Sequence, residues 1–204
     1  MTSPKALWTE GARRAVVPAA EWFANGRVTP NRLTVAGLVL NVATAPLIIT
    51  GHFLWALAVY LAASICDLLD GAVARVAQQV TAFGAFLDST SDRLAEGITL
   101  GALGVYFARG GHLWEVGALF VALTGSFLVS YVRAKAEAMG LECKVGLASR
   151  PERVFVLCVG FAFARWHVLT VIVYFLAVVS AYTVVQRILY VRRQLRARAA
   201  QSVA

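Results

Sequence analysis

Residues 66–75 read Cys-Asp-Leu-Leu-Asp-Gly-Ala-Val-Ala-Arg, and residues 84–93 read Gly-Ala-Phe-Leu-Asp-Ser-Thr-Ser-Asp-Arg. These two segments contain all four aspartates of the 204-residue chain. The surrounding residues are apolar enough to lie in a membrane, where a carboxylate costs several kcal/mol unless it faces a polar cavity, a partner or a metal ion. We therefore expect one shared explanation for the four carboxylates.

Their spacing predicts two acidic helix faces. Asp67 and Asp70 are three residues apart, so they share one face of a helix, which Gly71 continues without a side chain. Asp88 and Asp92 are four residues apart and share one face of a second helix. Side by side, the two helices would gather four carboxylates, whose mutual repulsion requires cations. Oxygen ligands favour magnesium, manganese or calcium over zinc, and a pair of such ions suits phosphoryl chemistry.

Two other interpretations of the carboxylates stay open on the residues alone. They can line a channel or pair with Arg75 and Arg93, which are near in sequence. They can also belong to a proton or cation transporter, which would place acids near the bilayer midplane and repeat its architecture in a second half. The acids fall at one end of their spans, and no inverted repeat is visible, so the metal site is the favoured hypothesis.

The acidic pattern resembles the signature of the CDP-alcohol phosphotransferases. The matching positions are Asp67, Asp70, Gly71, Ala74, Arg75, Gly84, Asp88 and Asp92. The resemblance implies an integral-membrane enzyme, a homodimer in its family, that joins a CDP-activated lipid or alcohol to an acceptor hydroxyl and releases CMP. It further implies that the first three aspartates bind two divalent cations, Mg²⁺ or Mn²⁺. Asp92 would be both a metal ligand and the base that acts on the acceptor hydroxyl.

Composition predicts an all-α, multi-pass membrane protein. The chain is 59% hydrophobic, and its mean hydropathy is +0.70. We expect an interfacial amphipathic helix in residues 1–28, a six-span domain over residues 29–191 and a basic cytoplasmic tail at 192–204. The expected spans are 33–50, 53–77, 82–107, 113–138, 152–165 and 167–190.

Positive charge predicts the orientation in the membrane. Three clusters, in the N-terminal region, in the loop after the fourth span and in the tail, hold fifteen of the 19 Lys and Arg residues. By the positive-inside rule, both termini and the aspartates then lie on the cytoplasmic side of the cell membrane. The same distribution suits anionic lipid headgroups better than nucleic acid, for which no motif is visible.

A second group of residues is predicted to contact the CDP-lipid, CDP-diacylglycerol. Residues 29–32 read Thr-Pro-Asn-Arg at the start of the first span, and the free amides of a helix start favour phosphate. The family resemblance implies that such a segment lies against the CDP-lipid and that cytidine contacts the small residues of the acidic motif. The predicted contacts are Thr29, Pro30, Asn31, Arg32, Gly71, Ala74, Arg75 and Thr81.

A third group is predicted to bind the phosphate of the acceptor. On charge alone, the arginines around the loop after the fourth span are ordinary positive-inside residues. Residues 130–137 and 150–153, however, are similar to the family branch that makes phosphatidylinositol phosphate or its archaeal ether-lipid counterpart. That similarity implies inositol 1-phosphate as the acceptor, with its phosphate on Ser130, Arg133 and Arg153. Glycerol 3-phosphate, free inositol and serine remain alternative acceptors, and the ester or ether nature of the lipid donor also stays open.

Overall fold

The computed structural model describes residues 17–24, 26, 28–143, 145–147 and 150–203, and these residues form helices and connecting segments without a β-strand. Helix α1 covers residues 17–24. The six longer helices are α2 (Pro30–Ile49), α3 (Phe53–Val76), α4 (Ala82–Arg109), α5 (Leu113–Ala138), α6 (Arg150–Ala162) and α7 (Val168–Val203). The all-α prediction is confirmed for this part of the chain. The predicted interfacial helix lies largely outside the described residues, which include only its final turns.

Among the described residues, four helices are long and apolar enough to cross a membrane. They are Pro30–Ile49, Phe53–Val76, Leu113–Ala138 and, within α7, Val168–Ala200. The chain is therefore a multi-pass membrane protein, and four of the six predicted spans are supported. Helix α4 has 28 residues, but it carries four charged residues between Asp88 and Glu96. Helix α6 has 13 residues, which corresponds to a length of about 20 Å and is short of a bilayer core.

A tight turn that ends at His167 separates α6 from α7. A 3₁₀ turn, Ala164–Trp166, follows α6, and His167 then adopts a left-handed backbone conformation with φ of 56°. A left-handed residue ends a helix because it cannot continue the i to i−4 hydrogen bonds. The predicted fifth span, 152–165, is thus a short helix followed by a tight turn into α7.

The chain divides into two compact units. The first comprises the described residues up to Leu47 together with Trp55–Thr99, and the second comprises Ile48–Leu54 together with the described residues from Leu100 onward. In the first unit, a buried cluster joins α1, α2 and α3 through Ala20, Leu33, Leu69, Ala72 and Val73. The carboxylates of the acidic motif all belong to this unit.

Small residues let the helices of the first unit approach one another closely. A Cβ atom on Gly37 of α2 would lie 3.2 Å from the carbonyl oxygen of Ala63 and 3.3 Å from the Cβ of Cys66 on α3. Helix α4 is linked to α2 by a buried hydrogen bond, in which the Thr99 hydroxyl donates to Oδ1 of Asn41 at 3.3 Å. Buried polar groups in a membrane domain are stabilised by such pairing. These contacts fix α2, α3 and α4 against each other.

The second unit packs α5 along α7. A Cβ atom on Gly125 of α5 would lie only 2.8 Å from the Cβ of Ser180 on α7, so glycine is required for this close approach. The segment after α5 is anchored by buried Ala136, Leu141 and Cys143, with Tyr190 and Val191 of α7 packed against them. The predicted acceptor residues all belong to this unit, and α7 continues through the predicted tail as one helix.

Candidate functional site

Three of the four aspartates converge in the first unit. Asp67 and Asp70 lie on α3 and Asp88 lies on α4, and each offers a carboxylate oxygen within 4.8 Å of the other two. Asp70 is buried, with 4% of its surface exposed, whereas Asp67 and Asp88 are half-buried. A donor set made only of carboxylate oxygens fits a hard divalent cation such as Mg²⁺ or Mn²⁺. The arrangement can therefore hold a metal ion, as the spacing predicts.

Asp92, the fourth aspartate, lies outside this group of three. It occupies the next turn of α4 after Asp88, is half-buried, and its Oδ1 atom is buried. Residues four apart on a helix face the same side, so Asp92 extends the acidic face of α4 beyond the cluster. Its roles as a fourth ligand and as a base remain predictions.

Thr34, which ends the Pro-Asn-x-x-Thr segment at the start of α2, contacts the carboxylate cluster, a role that was not predicted for it. Its hydroxyl donates a hydrogen bond to Oδ2 of Asp70 at 2.6 Å, and the Pro30 carbonyl oxygen lies 3.2 Å from the same hydroxyl. A short bond to a charged acceptor orients the carboxylate as well as stabilising it. The available signal was position, since Thr34 lies one helical turn after Pro30 at the start of α2.

A cavity of about 310 Å³ opens beside the carboxylate cluster. Its lining includes six of the eight predicted CDP-lipid contacts and two of the clustered aspartates. The six are Pro30, Asn31, Gly71, Ala74, Arg75 and Thr81, and the aspartates are Asp70 and Asp88. Thr29 and Arg32 are exposed and do not line the cavity. Instead, the Thr29 carbonyl oxygen accepts a hydrogen bond of 3.0 Å from the amide of Arg32 in the first turn of α2.

The start of α4 forms one wall of the cavity. The amide of Gly84 donates to the Thr81 hydroxyl at 3.0 Å, which is the bond of an N-cap residue. A Cβ atom on Gly84 would lie 3.3 Å from Oδ1 of Asn31, so the missing side chain keeps α2 close to α4. Helix starts carry unpaired amides and a partial positive charge, which favour phosphate groups.

The cavity combines opposite charges. The guanidinium group of Arg75 folds back over Gly71, where an added Cβ would lie 3.4 Å from Nη1. Asp70 and Asp88 supply negative charge at the same cavity. A ligand that fits this lining has a phosphorylated group for Arg75 and the start of α4, and it can share a cation with the carboxylates. This chemistry suits a ligand that carries phosphate groups.

In the second unit, the predicted acceptor residues differ in exposure. Ser130 on α5 is half-buried, and Arg153 in the first turn of α6 is buried, with 6% of its surface exposed. Arg133 is exposed, and its Nε atom forms an ion pair with Oε1 of Glu137 at 2.8 Å. Arg133 is therefore held by a neighbouring carboxylate one turn further along α5.

Arg187 joins these arginines, although its role was not predicted. It is 7% exposed on α7, and it lies within electrostatic range of Arg133 and Arg153. Its Nη1 atom donates to the Val129 carbonyl at 2.5 Å, and its Nε atom donates to the Val145 carbonyl at 2.9 Å. A signal was present, because Arg187 falls inside the predicted sixth span, where a charge indicates a function.

The fold and the two charged groups define a class: a multi-pass membrane protein with an oxygen-donor site beside a cavity. Residues 27–192 match the family model described as CDP-alcohol phosphatidyltransferase. The chain belongs to this family, as the acidic motif predicts, and it is a transferase of phospholipid biosynthesis.

Relatives of known name cover most of the chain. It is 38% identical to the phosphatidylinositol phosphate synthase of Corynebacterium glutamicum, over 87% of this chain and 84% of that protein. It is 36% identical to the archaetidylinositol phosphate synthase of Methanothermobacter thermautotrophicus, over 90% of this chain and 92% of that protein.

A solved structure of the same kind matches the fold. The crystal structure of the Mycobacterium tuberculosis phosphatidylinositol phosphate synthase with CDP-DAG bound has a TM-score of 0.81 and 33% identity to this chain. The match covers 87% of this chain and 94% of that one. The same protein has also been solved in complex with manganese and citrate, with a TM-score of 0.78 at 32% identity, over 86% of this chain and 88% of that one.

Proposed function

We propose that this protein transfers a phosphatidyl group from CDP-diacylglycerol to inositol 1-phosphate, giving phosphatidylinositol phosphate and CMP. The observation that carries the proposal is the cluster of Asp67, Asp70 and Asp88 beside the cavity. The names of the bacterial relatives support the donor and the acceptor.

The cavity is proposed to bind the CDP headgroup. Its volume, about 310 Å³, suits a headgroup, while the acyl chains would remain in the bilayer. Gly71 and Ala74 leave room for cytidine against α3 because neither has a bulky side chain. Arg75, Asn31 and the start of α4 would bind the pyrophosphate oxygens. The crystal structure of the mycobacterial relative with CDP-DAG bound supports this donor.

Asp67, Asp70 and Asp88, joined by Asp92, would hold two divalent cations, Mg²⁺ or Mn²⁺. When bound, these cations neutralise the pyrophosphate and stabilise departing CMP. The hydrogen bond from Thr34 would keep the Asp70 carboxylate oriented as a ligand. The manganese complex of the mycobacterial relative supports this metal class.

Asp92 is proposed to accept the proton of the attacking hydroxyl. The acceptor oxygen forms a bond to the lipid-side phosphorus, and the bond from that phosphorus to the CMP oxygen breaks. CMP leaves with the electron pair of that bond, and the hydroxyl proton passes to the Asp92 carboxylate. Its position one turn from Asp88 on the same side of α4 supports this role.

Ser130, Arg133 and Arg153 are proposed to bind the phosphate of the acceptor, with Arg187 adding positive charge nearby. Arg187 lies within electrostatic range of both Arg133 and Arg153, and a phosphate dianion would relieve the repulsion that Arg187 experiences from them. Arg133 would have to exchange Glu137 for the phosphate. Because that ion pair is exposed, the exchange costs little.

The proposal includes a membrane arrangement. The domain over residues 29–191 would cross the membrane six times, with α4 and α6 as the two further spans. An interfacial helix within residues 1–28 would precede this domain, and a basic tail at 192–204 would follow it. Both termini and the active site would face the cytoplasm, as the Lys and Arg distribution favours. The protein would act as a homodimer in the cell membrane.

An ether-lipid donor is a second candidate within the same chemistry. The archaeal relative is named as an archaetidylinositol phosphate synthase, and it is nearly as similar as the bacterial one. A competition between CDP-diacylglycerol and CDP-archaeol at equal concentration, followed by analysis of the lipid product, would decide between the two donors.

The test is an acceptor screen that follows CMP. The purified protein, CDP-diacylglycerol and Mg²⁺ would be incubated separately with inositol 1-phosphate, inositol, glycerol 3-phosphate and serine. We expect CMP release only with inositol 1-phosphate. Release with an unphosphorylated acceptor would refute the arginine assignment, and no release with any of them would refute the proposed substrates. CMP release would also separate this enzyme from a transporter that uses the same carboxylates.

A further inference from the structure

We infer that the C-terminal part of α7 sets the affinity for the acceptor by fixing the loop between α5 and α6. The residues responsible are Gln194 and Arg198, which lie in the predicted basic tail and are positioning residues rather than ligands. This inference rests on the proposed acceptor site, because that loop connects the helices carrying Ser130, Arg133 and Arg153.

One face of α7 contacts the described part of the loop. Five of its residues contact the described part of the loop; apart from the adjacent pair Tyr190 and Val191, they recur every three or four residues, which places them along one face of the helix. We call this set the loop-binding stripe. Its members are Arg187, Tyr190, Val191, Gln194 and Arg198.

The polar residues of the stripe donate hydrogen bonds to the loop. Gln194 donates from Nε2 to the Glu142 carbonyl at 2.7 Å. Arg198 donates from Nη2 to the Gly140 carbonyl at 2.5 Å and from Nη1 to the Met139 carbonyl at 3.3 Å. These carbonyls belong to the segment that leaves α5. A guanidinium group is suited to two adjacent carbonyls because its donors form a rigid fork.

Helix α5 is followed by a left-handed turn. Gly140 has a φ of 68°, and the amide of Leu141 donates back to the Ala136 carbonyl at 2.9 Å. The last carbonyls of α5, from Lys135 to Glu137, accept hydrogen bonds from the amides of this left-handed turn. The carbonyls of Met139 and Gly140 follow the helix, and they accept from Arg198, which places its positive charge near the negative end of α5. The turn is thus held by the tail in addition to its own backbone bonds.

The loop connects the acceptor residues on α5 with the one on α6. Upstream of the turn, Arg133 lies on the last two turns of α5, and downstream the loop leads to Arg153 in the first turn of α6. Between them, the Val145 carbonyl is bonded to Arg187 of the stripe. Loss of Gln194 or Arg198 would loosen this path and spread the arginines over a wider range of positions. Phosphate binding would weaken, since preorganised donors bind more tightly.

The experiment compares matched arginine variants of the full chain in detergent. Arg198→Ala removes the bonds to the loop, and Arg198→Lys keeps the charge with one donor group. Arg196→Ala is the control, because it removes the same charge two residues away on a different face of α7. Steady-state CMP release is measured while inositol 1-phosphate and CDP-diacylglycerol are varied in turn.

We expect Arg198→Ala to raise the KM for inositol 1-phosphate by roughly three- to tenfold, as for one lost hydrogen bond. The KM for CDP-diacylglycerol should not change, Arg198→Lys should recover part of the effect, and Arg196→Ala should match the wild type. Equal effects of Arg198→Ala and Arg196→Ala would overturn the inference. A rise in both KM values, or a fall in kcat alone, would also overturn it.

A second measurement does not depend on turnover. Amide hydrogen exchange over residues 139–147 should be faster in Arg198→Ala than in Arg196→Ala, and equal rates would overturn the docking of the loop. If the wild type does not use inositol 1-phosphate, the proposed function fails separately. The KM comparison then decides the inference with the acceptor that the wild type does use.

Discussion

The acidic and basic regions of this protein reach their charge density by different routes. The acidic region uses two consecutive helices, α3 and α4, with a short connection between them, and its clustered aspartates lie within 22 residues of sequence. The basic region draws on α5, α6, α7 and a loop, from Ser130 to Arg187. Local spacing therefore suffices to predict the first, whereas the second depends on contacts between distant parts of the chain.

The two regions also balance charge differently. The carboxylates of Asp67, Asp70 and Asp88 need cations because they repel one another. The arginines are held partly by the protein, since Arg133 pairs with Glu137 and Arg187 donates to two backbone carbonyls. Changes in the acidic region should therefore affect the chemical step, and changes in the basic region should affect acceptor binding.

The largest expected effect is that of Asp92→Asn. The amide cannot accept the hydroxyl proton, so kcat should fall by about 10²- to 10⁴-fold, as for the loss of a general base. Binding of CDP-diacylglycerol should change only modestly. CMP release and a donor-binding assay check the two effects. Glu96→Gln, one turn further along α4, makes the same carboxylate-to-amide change and should be much milder. Normal turnover in Asp92→Asn would remove the base assignment.

Arg153→Ala should have the next largest effect, and on a different parameter. Loss of a charged hydrogen-bond donor typically costs about 1.5–3 kcal/mol, so the KM for inositol 1-phosphate should rise by about 10- to 150-fold. The KM for CDP-diacylglycerol should stay constant. Arg165→Ala is the control, because it removes an exposed arginine from the turn before α7. Equal rises in both KM values would end the assignment of Arg153 to the acceptor.

Thr34→Val should give a smaller loss that belongs to the acidic region. The variant removes the hydrogen bond to Asp70 while keeping the shape of the side chain, so the oriented carboxylate loses about 1 kcal/mol of stabilisation. We expect kcat with saturating Mg²⁺ to fall by roughly fivefold and Thr34→Ser to restore it. A shift in the acceptor KM alone would contradict the proposed role.

Glu137→Gln should have the smallest effect, and in the favourable direction. Removing the carboxylate frees Arg133 for the acceptor phosphate, and an exposed pair is worth about 0.2–1 kcal/mol. The KM for inositol 1-phosphate should then fall by no more than about fivefold, with Glu115→Gln in the first turn of α5 as the control. A clear rise in that KM would show that Glu137 orients Arg133 for binding.

The sequence predicted the parts of the site that depend on local geometry. Asp67, Asp70 and Asp88 come together as their spacing predicts, and six of eight expected donor contacts line the cavity. The contact of Thr34 with Asp70 was missed because the two residues are 36 apart in sequence and the contact requires α2 to pack on α3. Arg187 was missed for the same reason, since the carbonyls that it contacts lie 42 and 58 residues earlier.

The membrane spans show the limit of composition in the same way. Among the described residues, four helices have the length and hydropathy that a span needs, and three of them were predicted within a few residues. The fourth, in α7, was predicted to end at residue 190, but it continues to Ala200. The predicted fifth span, 152–165, is itself short, and α6 (Arg150–Ala162) differs from it by two or three residues at each end. Side-chain hydropathy does not encode the 3₁₀ turn, Ala164–Trp166, or the left-handed backbone of His167 that follow α6. The predicted tail is likewise helical and bonded to the loop, where its arginines alone indicated only orientation.

Manganese binding would show directly whether the clustered carboxylates of the acidic region hold divalent cations. Electron paramagnetic resonance would follow bound Mn²⁺ in the metal-free wild type and in Asp70→Asn and Asp88→Asn, each titrated with CDP-diacylglycerol present. We expect saturable binding by the wild type and weak or no binding by both variants, with Arg153→Ala unchanged. Binding by the two aspartate variants equal to that of the wild type would contradict this expectation.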